Sequence, residues 1–340
     1  MTVERTIQQE RLASIVNRFS ERRIVVIGDV IADRFLHGTI SRVSREAPVF
    51  ILRHDHTETL AGGAANCAMN LASLGAEVSL VGVVGKDEAA GALRDNLMAA
   101  GVKTDSLVQS AAVNTTTKVR ILAGQLHSSK QQVIRIDYED NTALDKQTQS
   151  LILEQLRNTL LEAEAIIISD YNYGVVDDEA ANILREIADK KFTPIFVDSR
   201  FKLSNFKGFT SGTPNEDEVE QLIGEPITCD AQLEVAATKL REQLGYRALL
   251  VTRGSKGMML VEEHISPLHL KAVGALEPVD VTGAGDTVIA TFALALASDA
   301  SFSDAARLAN YAGGAVVMKR GTASVTPQEL EQSIRNSLTA

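Results

Sequence analysis

Asp286 closes a short string, Asp280-Val281-Thr282-Gly283-Ala284-Gly285-Asp286, whose residue types can do chemistry. The apolar run that follows, Thr287 to Ala297, reads as a buried helix, so Gly283, Ala284 and Gly285 form a loop leading into its start. Small residues let a backbone approach a ligand closely. The unpaired N–H groups and positive dipole end of a helix start favour an anion such as phosphate. A carboxylate beside such an anion hole needs a task, and accepting the proton of a hydroxyl that attacks phosphorus is the chemistry that fits. The same string also fits a plain helix cap after a glycine turn.

Other residues carry similar double readings. Gly62-Gly63-Ala64-Ala65-Asn66 opens a helix, and Asn66 can donate to and accept from sugar hydroxyls, or merely sit in a turn. Asp29 and Asp33, four apart after an apolar run, can each accept hydrogen bonds from vicinal hydroxyls, or Asp33 can be a capping charge. Asn215 and Glu218 share a helical face and can hold Mg²⁺ through water, or serve only as the acidic start of a helix. Thr252-Arg253-Gly254-Ser255-Lys256-Gly257 follows a strand and precedes another, either facing nucleotide phosphate or forming a hairpin. Competing motifs fail: no strand-linked Gly-x-Gly-x-x-Gly occurs, Gly82 to Lys86 has the wrong spacing for a P-loop, and the histidines lack zinc spacing.

The elements that must position these groups alternate. Apolar strand-like runs at 24–28, 76–84, 165–169, 194–197 and 248–251 are separated by helical patterns at 64–74, 88–100, 148–161, 178–190 and 233–244. That alternation predicts a parallel sheet covered on both faces, with ligands at the C-terminal strand ends, where Asp29, Asp170, Asp198 and Arg253 fall. Residues 35–60 and 112–138 break the pattern with polar, period-two stretches and predict a small β-sheet lid within a single domain spanning 1–340. Alternation sets Lys118 and Arg120 on one lid face; with Arg135 they are the cations to hold a substrate phosphate, or else part of a solvated strand face. The apolar residues Val49, Ile51, Val119, Ile121, Val133, Ile134 and Ile136 leave a face to cover, which predicts a homodimer through the lid.

A net charge of −10 argues against a nucleic-acid partner without excluding anionic substrates. Two cysteines, Cys67 and Cys229, imply no disulfide framework and fit a reducing, cytoplasmic setting. No window approaches the roughly 18 apolar residues of a membrane span. Glu4, Arg5 and Glu10 interrupt the N-terminal segment, which reads as an amphipathic helix rather than a leader.

Taken together and in this order, the motifs resemble the phosphofructokinase-B, or ribokinase-like, carbohydrate kinases. The resemblance runs from Arg23 to Leu330 and rests on Gly62-Gly63-x-x-Asn66 with Leu74-Gly75, Asn215-x-x-Glu218, and Asp280-x-Thr282-Gly283-Ala284-Gly285-Asp286. It implies a three-layer α/β/α fold with a β-sheet lid, and ATP and Mg²⁺ as cofactors. It further implies Asp286 as catalytic base, with an anion hole of Gly283, Ala284, Gly285 and Asp286 amides. Asp29, Asp33, Gly62, Gly63, Asn66 and Asp170 would then hold the sugar. Asn215, Thr252, Arg253, Gly254, Gly257 and Asn310 would serve the nucleotide, Asn215 and Glu218 would organise metal, and Thr282, Gly321 and Ser324 would lie at a K⁺ site. Within the family the segments Ser41–Val49, Gly62–Asn70, Gln131–Asp137 and Leu308–Gly314 look most like the heptose 7-phosphate kinases, the kinase half of the enzymes that make ADP-heptose. Two departures surround the expected site. Tyr173 stands where those kinases show lysine in Asp-Tyr-x-Lys-Gly, and Asp198-Ser199-Arg200 replaces Asp-Pro-Lys. A kinase for another sugar, sugar phosphate or nucleoside, or a sugar-sensing protein without turnover, are the alternatives.

Overall fold

The run Ile24–Ile27 has no side chain that needs water, and it forms β1 (Arg23–Gly28), an interior strand of the large sheet in the computed structural model. The structure describes residues 2–125, 130–139, 143–274 and 277–336, so lid positions 126–129 lie outside the described residues. The remaining strands are β2 (Val30–Val43), β3 (Phe50–Gly63), β4 (Glu77–Val84), β5 (Leu107–Gln109), β6 (Thr117–Gly124), β7 (Gln131–Tyr138), β8 (Ala165–Asp170), β9 (Ile195–Ser199), β10 (Ser211–Gly212), β11 (Ala248–Thr252), β12 (Met258–Glu262) and β13 (Leu268–Leu270). Among the described residues, nine of them form one sheet in the order β13-β12-β11-β10-β9-β8-β1-β4-β5, and β3-β2-β6-β7 form a second. In the large sheet β5 through β11 pair in parallel, and only the β12–β13 edge is antiparallel.

Strands buried on both faces need apolar residues at successive positions, with alternate ones facing opposite layers. Along β1, Ile24 and Val26 join one apolar cluster while Val25 and Ile27 join the other; β8 divides Ala165 and Ile167 from Ile166 and Ile168 in the same way. Helices Ala64–Ser73, Ala284–Ala297 and Phe302–Val316 pack into the first cluster, and Lys146–Thr159, Asp178–Lys191 and Asp230–Leu244 into the second. This is the layered α/β/α arrangement expected from the alternation.

The small sheet grows directly out of the large one. β2 starts one residue after Asp29, β3 ends at Gly63, and the Asp29 carbonyl accepts the Ala64 N–H at 3.0 Å. Gly63 has φ 56°, and a Cβ there would sit 2.5 Å from the Asp29 carbonyl oxygen, so this junction admits only glycine. The lid is therefore longer than 35–60 at both ends. Residues 112–116 lie before β6 and are not strand. Cross-strand partners share a face. Asp33 is paired with Lys118 and Phe35 with Arg120, while Arg34 pairs with Val119 and Leu36 with Ile121 on the opposite face. That outer face continues through Ile136 and Ile134, which are 43% and 55% exposed.

Candidate active site

The helix expected from Thr287 begins earlier, at Ala284, so the small residues are its first turn rather than a loop before it. Gly283 is the N-cap with φ 76°, a left-handed conformation. A Cβ on Gly283 would run into the Asn66 side-chain nitrogen, so both its backbone and its space demand glycine. The Ala284 N–H is taken by the Val281 carbonyl at 3.2 Å; those of Gly285 and Asp286 meet no protein acceptor among the described residues. Gly285 is exposed, and a Cβ there would find only an Asp198 oxygen, 3.9 Å away. Asp280 ties the loop down, accepting the Thr282 N–H and the Gly321 N–H, each at 2.9 Å.

Asp286 is 2% exposed. Asn66 donates to one carboxylate oxygen at 2.7 Å and the Tyr171 hydroxyl donates to the other at 3.0 Å. Asn66 is itself fixed: Asn70 donates to its side-chain oxygen at 3.2 Å and to its carbonyl at 2.9 Å, and Thr287 donates to Asn70 at 2.8 Å. A polar chain thus links helix Ala64–Ser73 to the helix that carries Asp286. Burial pushes the Asp286 carboxyl up to about 6, against the lowering effect of the Asn66 and Tyr171 hydrogen bonds. At neutral pH it is mainly ionised, close to its titration point, and suited to take a proton from a hydroxyl.

The structure assigns other site residues to support. Asp29 is buried and accepts the N–H groups of Tyr171, Tyr173 and Val175 at 2.8, 3.0 and 3.2 Å, so it shapes the loop carrying Tyr171 instead of presenting oxygens to a ligand. Burial raises its carboxyl to about 6. Asp170 accepts from the Asn172 N–H at 3.1 Å and the Ser199 hydroxyl at 2.6 Å, joining two strand-end loops. Asn66 donates to Asp286, and any contact with a sugar would come in addition. Asp33 is buried against the lid and forms an ion pair with Arg120. A Cβ on Gly62 would lie 2.7 Å from an Asp33 oxygen. Arg135 forks onto Asp137 with two bonds of 2.9 Å at an exposed position.

On the nucleotide side, Arg253 is buried between Glu216 and Asp230, 2.6 Å from each. Its charge is already matched, so it is a brace between helices rather than an open phosphate ligand. Thr252 donates its N–H to the Pro214 carbonyl at 2.9 Å, which sets β11 beside the loop holding Asn215. Gly254 and Gly257 turn the hairpin at φ 53° and 97°. Asn310 binds the Lys271 carbonyl at 2.8 Å. Asn215 and Glu218 form a reciprocal capping box of two 2.9 Å bonds, the plainer of their two readings, which leaves the second Glu218 oxygen unused by the box.

Three residues outside the expected set complete the site. Tyr171 holds Asp286. Asp198, at the C-terminal end of β9, makes no hydrogen bond or ion pair among the described residues, and burial, then Asp286 and Glu218, pushes its carboxyl well up. Arg200 stacks over the Tyr171 ring at 5.7 Å and Lys118 at 5.6 Å. Position at a strand end is the sequence signal for Asp198; Tyr171 matches the tyrosine of the family's Asp-Tyr-x-Lys-Gly run, a signal that gives no role.

No group of three or more metal-ligating side chains occurs among the described residues. The unpartnered Asp198 carboxylate beside Glu218 nonetheless fits a hydrated Mg²⁺, which needs few protein ligands. The K⁺ arrangement fits less well: the Ser324 carbonyl already accepts the Lys319 ammonium at 2.7 Å, and Lys319 is also 2.7 Å from Glu329. Under the lid, a cavity of about 670 Å³ sets Phe35, Leu60 and Arg120 against Asp280, Thr282 and Gly321. A larger groove of about 810 Å³ behind β3 is lined by Asn66 but by neither Asp286 nor the glycines of the helix start. No helix of the described residues is long and apolar enough to cross a membrane.

The bifunctional protein HldE of Nitrosococcus oceani is 43% identical over 319 residues, 93% of this chain and 64% of its own length. HldE of Proteus mirabilis is 42% identical, matching 93% of this chain and 65% of its own. The chain thus spans somewhat less than two thirds of these relatives. Among solved structures, phosphofructokinase-2 from Escherichia coli with substrates and products superposes with a TM-score of 0.76 at 19% identity, covering 93% of this chain and 99% of that one. Ribokinase from Arabidopsis thaliana with ribose and ATP gives 0.68 at 23% identity, covering 94% and 99%; both share the ribokinase-like fold. The family model for pfkB family carbohydrate kinases matches residues 21–329, and the chain belongs to that family.

Proposed function

We propose that this carbohydrate kinase transfers the γ-phosphoryl group of ATP to a hydroxyl of D-glycero-D-manno-heptose 7-phosphate, giving the 1,7-bisphosphate. The observation that carries the reading is Asp286, a buried carboxylate held by Asn66 and Tyr171 at a helix start with free N–H groups, in a chain 43% identical to HldE. The acceptor hydroxyl gives its proton to Asp286 as its oxygen bonds to the γ-phosphorus. The bond from that phosphorus to the bridging oxygen breaks, and ADP leaves with the electron pair. The N–H groups of Gly285 and Asp286 stabilise charge on the phosphoryl oxygens during transfer. Mg²⁺, when bound with ATP, neutralises phosphate charge, and Asp198 and Glu218 would hold it through its waters. Asp33 is the carboxylate on the lid's inner face available to sugar hydroxyls. A turnover panel of heptose 7-phosphate, fructose phosphates, ribose and nucleosides tests the substrate. Tyr173 and Arg200, which replace two expected lysines, favour keeping other phosphorylated sugars in the panel.

Three expectations follow from the site. Tyr171→Phe removes a hydrogen bond that lowers the Asp286 carboxyl, so its titration point rises from about 6 by roughly one unit. The acid limb of the kcat/KM profile should move up accordingly, with more loss at pH 6 than at pH 8; a uniform loss at every pH would assign Tyr171 to structure alone. Glu218→Ala should raise the Mg²⁺ concentration for half-maximal rate several-fold, and an unchanged Mg²⁺ titration would leave Glu218 as a helix cap. The outer lid face, with Val119, Ile121, Ile134 and Ile136, supports a homodimer packed lid to lid. Light scattering at micromolar concentration should read a dimer that Val119→Lys with Ile121→Lys dissociates; an active monomer would contradict it.

A further inference from the structure

Four cations could serve an anion beneath the lid, and their pairing separates them. Arg120 is matched by Asp33 and Arg135 by Asp137. Lys118 and Arg200 have no carboxylate within ion-pair distance among the described residues. Both lie over one aromatic ring, Lys118 5.6 Å and Arg200 5.7 Å from the centre of Tyr171, and that ring's hydroxyl holds Asp286. Lys118 comes from the lid's inner face in register with Asp33, Arg200 from the turn after β9 beside Asp198. Two like charges gathered on one ring repel each other, while the carboxylates around them, Asp33 and Asp137 for Lys118 and Asp198, Glu218 and Asp286 for Arg200, act from beyond ion-pair distance. Lys118 shows the cost: burial first, and then Arg200, lowers its ammonium below the ordinary lysine range. Neither cation is bridged to a carboxylate, so both keep donors open toward an anion at this place.

We infer that Lys118 and Arg200 form a two-pronged clamp for phosphoryl oxygens beside the base, with the Tyr171 ring as its floor. The inference rests on the kinase reading above and adds the side chains that meet the phosphoryl oxygens. Phosphoryl oxygens reach this place from two sources: a phosphate already on the acceptor sugar, or the group in transfer from ATP. Arginine here offers the forked donors that lysine lacks, which suits two oxygens of one phosphoryl group.

The test uses the full chain with Lys118→Met, Arg200→Met and Arg200→Lys, read by calorimetric titration with heptose 7-phosphate without nucleotide and by steady-state kinetics. If the clamp holds the acceptor's own phosphate, each Met variant loses about 10- to 100-fold in heptose 7-phosphate affinity. If it holds the transferred group, affinity stays and kcat falls by a similar factor. Either pattern supports the clamp, with Arg200→Lys intermediate. The ligand-free melting temperature of the Lys118→Met variant should not fall, because burial and Arg200 already disfavour that ammonium. Affinity and kcat both within threefold of wild type in folded Met variants would overturn the clamp, as would a marked drop in ligand-free melting temperature that accounts for the loss. Failure of the kinase reading looks different: wild type would then consume no ATP with any sugar of the panel. Turnover confined to uncharged sugars would remove the acceptor phosphate as a source and leave kcat to decide.

Discussion

Asp286→Asn is expected to lose about 10²–10⁴-fold in kcat while keeping nucleotide affinity and fold. Asparagine preserves the shape, its oxygen can accept from Asn66 and its amide N–H can donate to the Tyr171 hydroxyl, but it cannot take a proton. Stability provides the control. The Asp286 carboxyl titrates at about 6 in the folded protein against an ordinary 3.8. The folded state therefore holds that proton more tightly than the unfolded chain, and the associated stability disappears as pH rises from about 4 through 6. Above that window folding buries a charge, a cost that asparagine does not carry. At pH 8 the variant should melt no lower than wild type. Retention of more than about a tenth of kcat would remove Asp286 from the role of base.

Gly285→Val is expected to cost at least about 10²-fold in turnover, comparable to losing a donor of an oxyanion hole, with little loss of stability. The reasoning depends on the contrast with Gly283. At Gly283 a side chain collides with Asn66 and requires a left-handed backbone, so substitution damages the polar chain that holds the base. At Gly285 the backbone is ordinary helix and the space is open apart from Asp198. A Cβ there meets only the Asp198 oxygen, 3.9 Å away, and the side chain stands where an anion must approach the N–H groups. Circular dichroism and melting should be near wild type. If turnover also survives, the glycine string is only a helix start.

Much of this arrangement was legible in residue patterns. Continuous apolar runs ending in Asp29, Asp170 and Asp198 marked the parallel strands and the edge where ligands gather, because strands buried on both faces leave no other signature. The short strands β5, β10 and β13 were not legible: two or three residues carry no period, and their pairing is imposed by neighbours. The helix start was misplaced at Thr287 because glycines read as loop, although Gly283 is the cap and Ala284 already helical.

Site roles were harder than site membership. A sequence shows that Asp29 and Asn66 are polar residues at strand and helix ends; it does not show that loop amides fill Asp29 or that Asn66 faces Asp286. Arg253 looked free for phosphate because its partners Glu216 and Asp230 are distant in sequence. The role of Tyr171 is hidden for the same reason: the sequence shows it in the Asp-Tyr-x-Lys-Gly run, but its partner lies in a different element.

Phosphorus NMR of the wild-type protein with ATP, Mg²⁺ and heptose 7-phosphate tests the central claim most directly. The account predicts that ATP signals give way to ADP while a second sugar-bound phosphate appears in equal amount, and that the Asp286→Asn protein produces neither on the same timescale. ADP formed with free phosphate and no new sugar phosphate, or product formed equally well without the Asp286 carboxylate, would contradict it.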